Sequence, residues 1–190
     1  MLDKRQQQIL AVRNQVMKTR KVLCTGNPDR KGTIASAVKE IWPETTFIHL
    51  SNGFDLKNIS SVEDKLKKLF RTHNTFINAS YLSGMQIKLL KLCHEHMLIG
   101  EVYNIGSTNE YDGLGPETYK NNKIELRETS LKLNSFRFQT THIVMGGIDT
   151  GEPETETWVK PIKIVEMIKW VTEQDIKVPI IGIDQSKAPW

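Results

Sequence analysis

Cysteine is almost missing from this chain: Cys24 and Cys93 are the two among 190 residues, far apart and without metal-type spacing. That excludes a disulfide framework and a cysteine-built metal centre, and it makes a reducing cytoplasm the expected compartment. No run of about 18 apolar residues occurs, so no membrane-spanning helix is expected. Residues 1–20 are too polar for a secretory signal peptide. Charge of one sign is not concentrated either. The net charge is +4 and the basic residues are dispersed. The longest basic cluster, Lys65, Lys67 and Lys68, falls in a helical pattern and reads as a solvated face, so no nucleic-acid partner is expected. There is no internal repeat and no low-complexity segment.

What is present is ordinary for a globular chain. Apolar residues make up 38% and charged residues 25%, a balance that disordered chains do not show. A chain of this length fits one domain able to bury most of its apolar surface. Residues 1–20 read as a helical extension, with Ile9, Val12, Val16 and Met17 on one stripe. Residues 21–190 form the domain proper. There, short apolar runs at 22–24, 47–50, 75–77, 102–105, 142–145 and 179–183 alternate with segments of helical period. One helical segment carries Ile34, Val38 and Ile41. The next carries Val62, Leu66 and Leu69, with Ser60 and Glu63 spaced as a capping box. A third carries Met85, Leu89, Leu92 and Cys93, a fourth lies near 119–131, and a fifth carries Ile164, Val165, Ile168 and Val171.

Strand–helix alternation of this kind means right-handed βαβ units and a parallel sheet covered on both faces. The expectation is an α/β, doubly wound sheet of six to seven strands, plus the N-terminal helix. After residues 47–50 only four residues precede Asp55-Leu56, too few for a crossover helix. Ligands in this class bind beyond the C-terminal ends of the strands, where the strand order reverses.

The first strand runs into Thr25-Gly26-Asn27-Pro28-Asp29-Arg30-Lys31-Gly32-Thr33-Ile34, a glycine-bearing turn that opens a helix. Glycines let backbone N–H groups approach a pyrophosphate, and the helix N-terminus adds partial positive charge. The spacing matches neither G-x-G-x-x-G nor a P-loop, so the loop alone is equally a plain connecting turn. Arg30 and Lys31 could meet a second anion. The second strand runs on to Ser51-Asn52 with no acidic residue to hold a ribose 2′-hydroxyl, which favours the 2′-phosphate of NADP over NAD. His94 and His96 flank Glu95 but cannot share one helical face, and no metal site is expected.

Further segments, in order, resemble the short-chain dehydrogenases/reductases. Asp55-Leu56 resembles that family's acidic–apolar pair beside the adenine. Thr75-Phe76-Ile77-Asn78-Ala79-Ser80 resembles its N-N-A-G motif, with Ser80 for glycine. Tyr103-Asn104-Ile105-Gly106-Ser107 resembles the strand that ends at the active-site serine. Tyr119 and Lys123 fit Y-x-x-x-K at the usual distance beyond it. Met145-Gly146-Gly147-Ile148-Asp149-Thr150 resembles the P-G-x-x-x-T turn, with Met145 for proline. With four tyrosines, roughly 0.4 chance matches to Y-x-x-x-K are expected, so the ordered set carries the resemblance and the pair alone does not.

The resemblance implies a Rossmann-like fold and a catalytic set of Ser107, Tyr119 and Lys123. It implies a nicotinamide dinucleotide, NADP with NAD as the alternative, at Gly26, Asn27, Arg30, Lys31, Gly32, Ile34, Asp55, Leu56, Asn78, Ala79, Lys123, Gly146, Ile148 and Thr150. A free tyrosine titrates near pH ~10; the Lys123 ammonium one helical turn away would favour the phenolate and suit Tyr119 to acid–base work. Ser107 would hydrogen-bond the substrate oxygen, and Lys123 would also hold the nicotinamide ribose. The substrate would be a small-molecule carbonyl or alcohol. A homo-oligomer through the helices near 85–97 and 119–131 accords with the family.

The chain is short for that family. It lacks a helix between the second and third strands, and much of the segment between Ser80 and Val102. No asparagine occurs between residues 81 and 103 to complete the family's proton relay, so the relay is absent or built differently. The stretch after Thr150, with Glu152, Glu154 and Glu156, is too brief for a large lid. Two other functions are compatible with these departures: a non-catalytic dinucleotide-binding or redox-sensing protein, and a nucleotide-sugar epimerase or dehydratase. The second usually needs more chain than follows Thr150.

Overall fold

Six parallel strands carry the fold in a computed structural model that describes residues 3–112, 115–149, 158–174 and 177–183. The strands are β1 (Val22–Thr25), β2 (Thr46–Ile48), β3 (Thr75–Asn78), β4 (Gly100–Ile105), β5 (Phe138–Met145) and β6 (Ile180–Ile183), in the order β2-β1-β3-β4-β5-β6. The helices are α1 (Lys4–Met17), α2 (Ile34–Ile41), α3 (Glu63–Thr72), α4 (Met85–His96), α5 (Asn109–Asp112), α6 (Glu117–Leu133) and α7 (Pro161–Glu173). This is the expected doubly wound architecture, with all six apolar runs as strands.

Alternation along the strands divides the core in two. Leu23, Phe76, Val102 and Phe138 face one side, where α3, α4 and α6 contribute Leu66, Phe70, Leu89, Leu90 and Leu126. Cys24, Ile77, Tyr103 and Ile143 face the other, where α2 and α7 contribute Val38, Ile164 and Ile168. Strands buried on both faces read as unbroken apolar runs, which is why they were legible. β1 pairs with β2 on one side and β3 on the other. The order in which strands are added therefore reverses between β1 and β3, and a crevice opens beyond their C-terminal ends.

Three local expectations are corrected. Ser60 does not cap α3: its hydroxyl donates to Asn58 Oδ1, and Val62 precedes the helix without a side-chain cap. The residues before α3 form a short 3-10 segment, Leu56–Ser61, so Ser60 lies inside a turn rather than at the helix entrance. The chain from β2 to β3 does cross over by a helix, namely α3, and Asp55-Leu56 opens the turn before it. β2 ends at Ile48, so His49 and not Ser51-Asn52 follows the strand.

The stripe on α1 is corrected as well. Val12 and Val16 are 45% and 37% exposed, and no α1 residue is fully buried. The helix is fastened by polar contacts. Arg13 donates to Gln139 at 2.7 Å and pairs with Glu101 at 3.5 Å, while Asn74 Nδ2 donates to the carbonyls of Val16 and Thr19. Its capping box is made by Asp3 and Gln6. Among the described residues, no helix is long and apolar enough to cross a membrane.

Candidate active site

Thr25, the last residue of β1, organises the crevice. Its hydroxyl oxygen accepts the backbone N–H groups of both Ala79 and Ser80 at 2.8 Å, tying the exit of β3 to the exit of β1. Gly26 follows, its own N–H donated to Ile48 O across to β2 at 3.0 Å. On the far side of the loop, Thr33 and Ser36 cap α2 reciprocally.

Two cavities lie along this crevice. One, of about 390 Å³, is lined by Gly26, Asn27, His49, Asp55, Leu56 and Lys57, among others. The other, of about 620 Å³, is lined by Ala79, Ser107, Tyr119, Lys123, Gly146 and Ile148, among others. Tyr81 lines both. Ten candidate residues therefore line one or other of these two cavities. The rest are placed elsewhere. Asn78 is buried at the end of β3 and Ile34 in the core. Arg30 is exposed, and Lys31 and Gly32 line a separate depression with Asp149 and Lys160. Thr150, with Glu152, Glu154 and Glu156, lies outside the described residues.

Lys123 is 2% exposed. Its ammonium donates to Gln86 Oε1 at 2.8 Å and to Ile105 O at 2.7 Å, and it lies 5.4 and 5.5 Å from the ring centres of Tyr81 and Tyr119. Burial pushes its pKa down to about 8, against an opposing pull from the Glu110 carboxylate. The two tyrosine rings meet edge to face at 4.7 Å.

Gln86 on α4 is the side chain that holds the buried ammonium. Beyond accepting from Lys123, its amide donates to Asn78 O at 2.8 Å and Ile105 O at 3.3 Å. Asn78 in turn donates to Gln86 O and to Asn104 Oδ1, both at 2.9 Å, and Asn104 donates to Ser130 at 3.2 Å. A buried polar chain thus links α4, β3, β4 and α6 behind the site. Its signal in the sequence was a lone amide between Met85 and Ile87 in an apolar helix, a polar group that has to find a partner once buried.

Ser107, also buried, presents its N–H to Glu110 Oε1 at 2.8 Å and its hydroxyl to Asn109 Oδ1 at 3.2 Å. Glu110 Oε1 also meets His142 Nε2 at 2.8 Å, and both side chains are 0% exposed. His142 was hidden inside an apolar strand pattern, where a titratable side chain requires a partner. Trp158 folds back so that its indole lies against Gly147, and Val159 bridges to Ile148. Trp170 is about half exposed. His94 packs edge-on against Phe138.

No family model matches the sequence, and no curated protein matches it. Solved structures do match. Serine dehydrogenase from Escherichia coli superposes with a TM-score of 0.60 at 17% identity, over 94% of this chain and 92% of that one. A β-ketoacyl-[ACP] reductase from Bacteroides thetaiotaomicron gives 0.59 at 14%, over 88% and 98%. A metagenomic short-chain oxidoreductase in complex with NADP gives 0.58 at 10%, again over 88% and 98%. The chain has the short-chain dehydrogenase/reductase fold. Identities this low carry the fold and no more.

Proposed function

We propose that this chain is an NADP(H)-dependent oxidoreductase acting on a carbonyl or alcohol substrate. The observation that carries the reading is that Ser107, Tyr119 and Lys123 line one cavity, and that Tyr81 borders both it and the cavity at Gly26 and Asp55. The residues present fit a dinucleotide. Gly26 stands at φ 124, and a Cβ there would lie 3.0 Å from Ala35 Cβ and 3.2 Å from Ser80 Oγ. A side chain at Gly26 would crowd α2 and the exit of β3, so glycine lets the loop that would take the pyrophosphate pack closely against both. Asp55 and Leu56 would hold the adenosine end, and Ala79, Gly146 and Ile148 the nicotinamide end.

The bound nucleotide would supply or accept a hydride at the substrate carbon. Tyr119 would give the proton to the substrate oxygen or take it away, and Ser107 would hold that oxygen in line. Lys123, already committed to Gln86 and Ile105, keeps one of its three donors for a ribose hydroxyl or the Tyr119 oxygen. The preference for NADP rests on His49 after β2, Lys57 in the cavity wall and Arg30 on the loop, with no acidic residue directly after the strand.

Titration with NADPH and NADH by cofactor fluorescence tests the reading; tighter binding of NADPH is expected, weakened by Arg30→Ala. Tyr119→Phe should lower turnover by about 100-fold or more. Failure to bind either nucleotide would refute the function. A non-catalytic nucleotide-binding protein is the second reading, favoured by the Tyr81 ring packed against Tyr119 where the two cavities meet. Tight NADPH binding without turnover across a carbonyl screen would select it.

A further inference from the structure

Behind the serine lies a charged cluster that the proposed chemistry does not use. Glu110, on α5, is fully buried beneath the loop that carries Ser107. One carboxylate oxygen accepts the Ser107 N–H and meets His142 Nε2, both at 2.8 Å. The other lies 3.5 Å from Arg127 Nη1, and the Arg127 guanidinium rests 4.8 Å from the Tyr111 ring centre. The pair presses hard on the end of β4. A Cβ on Gly106 would sit 2.3 Å from His142 Nε2 and 2.5 Å from Glu110 Oε1. Glycine at this position lets the carboxylate sit directly under the serine peptide.

A buried carboxylate is costly unless cations and donors surround it. Here Arg127 is one cation, and Lys123 the other that feels its field. Lys123 is faced by Gln86 from α4, the Ile105 carbonyl from β4, the rings of Tyr81 and Tyr119, and the Glu110 charge. Gln86 and Ile105 are neutral acceptors. Of the named groups, Glu110 is the carboxylate.

We propose that Glu110, clamped by His142, is a positioning residue of the active site: it fixes the Ser107 peptide and sets a negative charge against the Lys123 ammonium. The inference rests on the oxidoreductase reading for its purpose but not for its test. His142 holds the carboxylate oxygen that Ser107 shares, so serine placement and lysine charge are set by one group.

The test follows the protons directly. In protein labelled with ¹³C-lysine, the Lys123 Cε resonance, assigned by its loss in Lys123→Met, should titrate near pH 8. In Glu110→Gln its midpoint should fall by about one pH unit, because an opposing charge has been removed. Glu110→Asp should restore the midpoint most of the way. An unchanged midpoint in folded Glu110→Gln overturns the proposal. If that variant does not fold, Glu110→Ala, which leaves no buried amide, decides in its place by the same Lys123 midpoint: a fall supports the proposal and an unchanged midpoint overturns it. Neither readout uses a nucleotide. Coupling without NADPH or NADH binding would sink the oxidoreductase reading alone, and turnover without coupling would sink this inference alone.

Discussion

Replacing Lys123 by methionine tests the energetic heart of the site. The ammonium is 2% exposed, and its pKa falls from 10.5 to about 8 on folding, chiefly through burial. Below pH ~8 folded and unfolded chains both hold the proton, and the cost of burying the charge is at its full size, roughly 3 kcal/mol for such a shift. Between the two pKa values the unfolded chain still binds the proton and the folded chain has released it. Stability must therefore rise with pH in that window. From about pH 7 to about pH 9.5 the wild type should gain about 2 kcal/mol relative to Lys123→Met, since other titrating groups largely cancel in the difference. Urea unfolding followed by tryptophan fluorescence at several pH values measures it. A difference that stays flat, or falls, would refute the buried-ammonium account.

The other predictions concern the scaffold. Thr25→Val keeps the shape of β1 but removes the acceptor for the N–H groups of Ala79 and Ser80. It should cost about 1–3 kcal/mol in denaturant unfolding and weaken NADPH binding, because it loosens the crevice floor. Phe70→Ala empties a fully buried site where the ring meets Phe76 edge to face at 5.1 Å. It should cost about 3–5 kcal/mol, while Tyr119→Phe should leave the melting temperature nearly unchanged as it removes turnover.

Much of the molecule was legible because its physics is local. Runs such as 102–105 and 142–145 are apolar at successive positions, and two-faced burial in a parallel sheet produces that pattern. Asn78-Ala79 could be placed at a strand end by order along the chain, whereas Asp55-Leu56 opens the turn before α3. Boundaries that depend on neighbours were not legible. Ser60 and Glu63 had capping-box spacing, but the backbone before α3 had already turned into a 3-10 segment. Val12 and Val16 looked like an inward stripe, yet α1 is held by Arg13 and Asn74, whose partners lie far along the chain.

The sequence by itself determined the strand–helix alternation, the sheet's class and which chain segments would meet at its C-terminal edge, because periodicity and chain order are properties of neighbours in sequence. Only the tertiary structure decided that Gln86 accepts the lysine's hydrogen bond, that Lys31 lines a separate depression with Asp149 and Lys160, and that Glu110 and His142 meet beneath Ser107. Those outcomes depend on burial and on contacts between distant segments. A buried charge must find whichever partner the packing brings, and no local pattern records which one that will be.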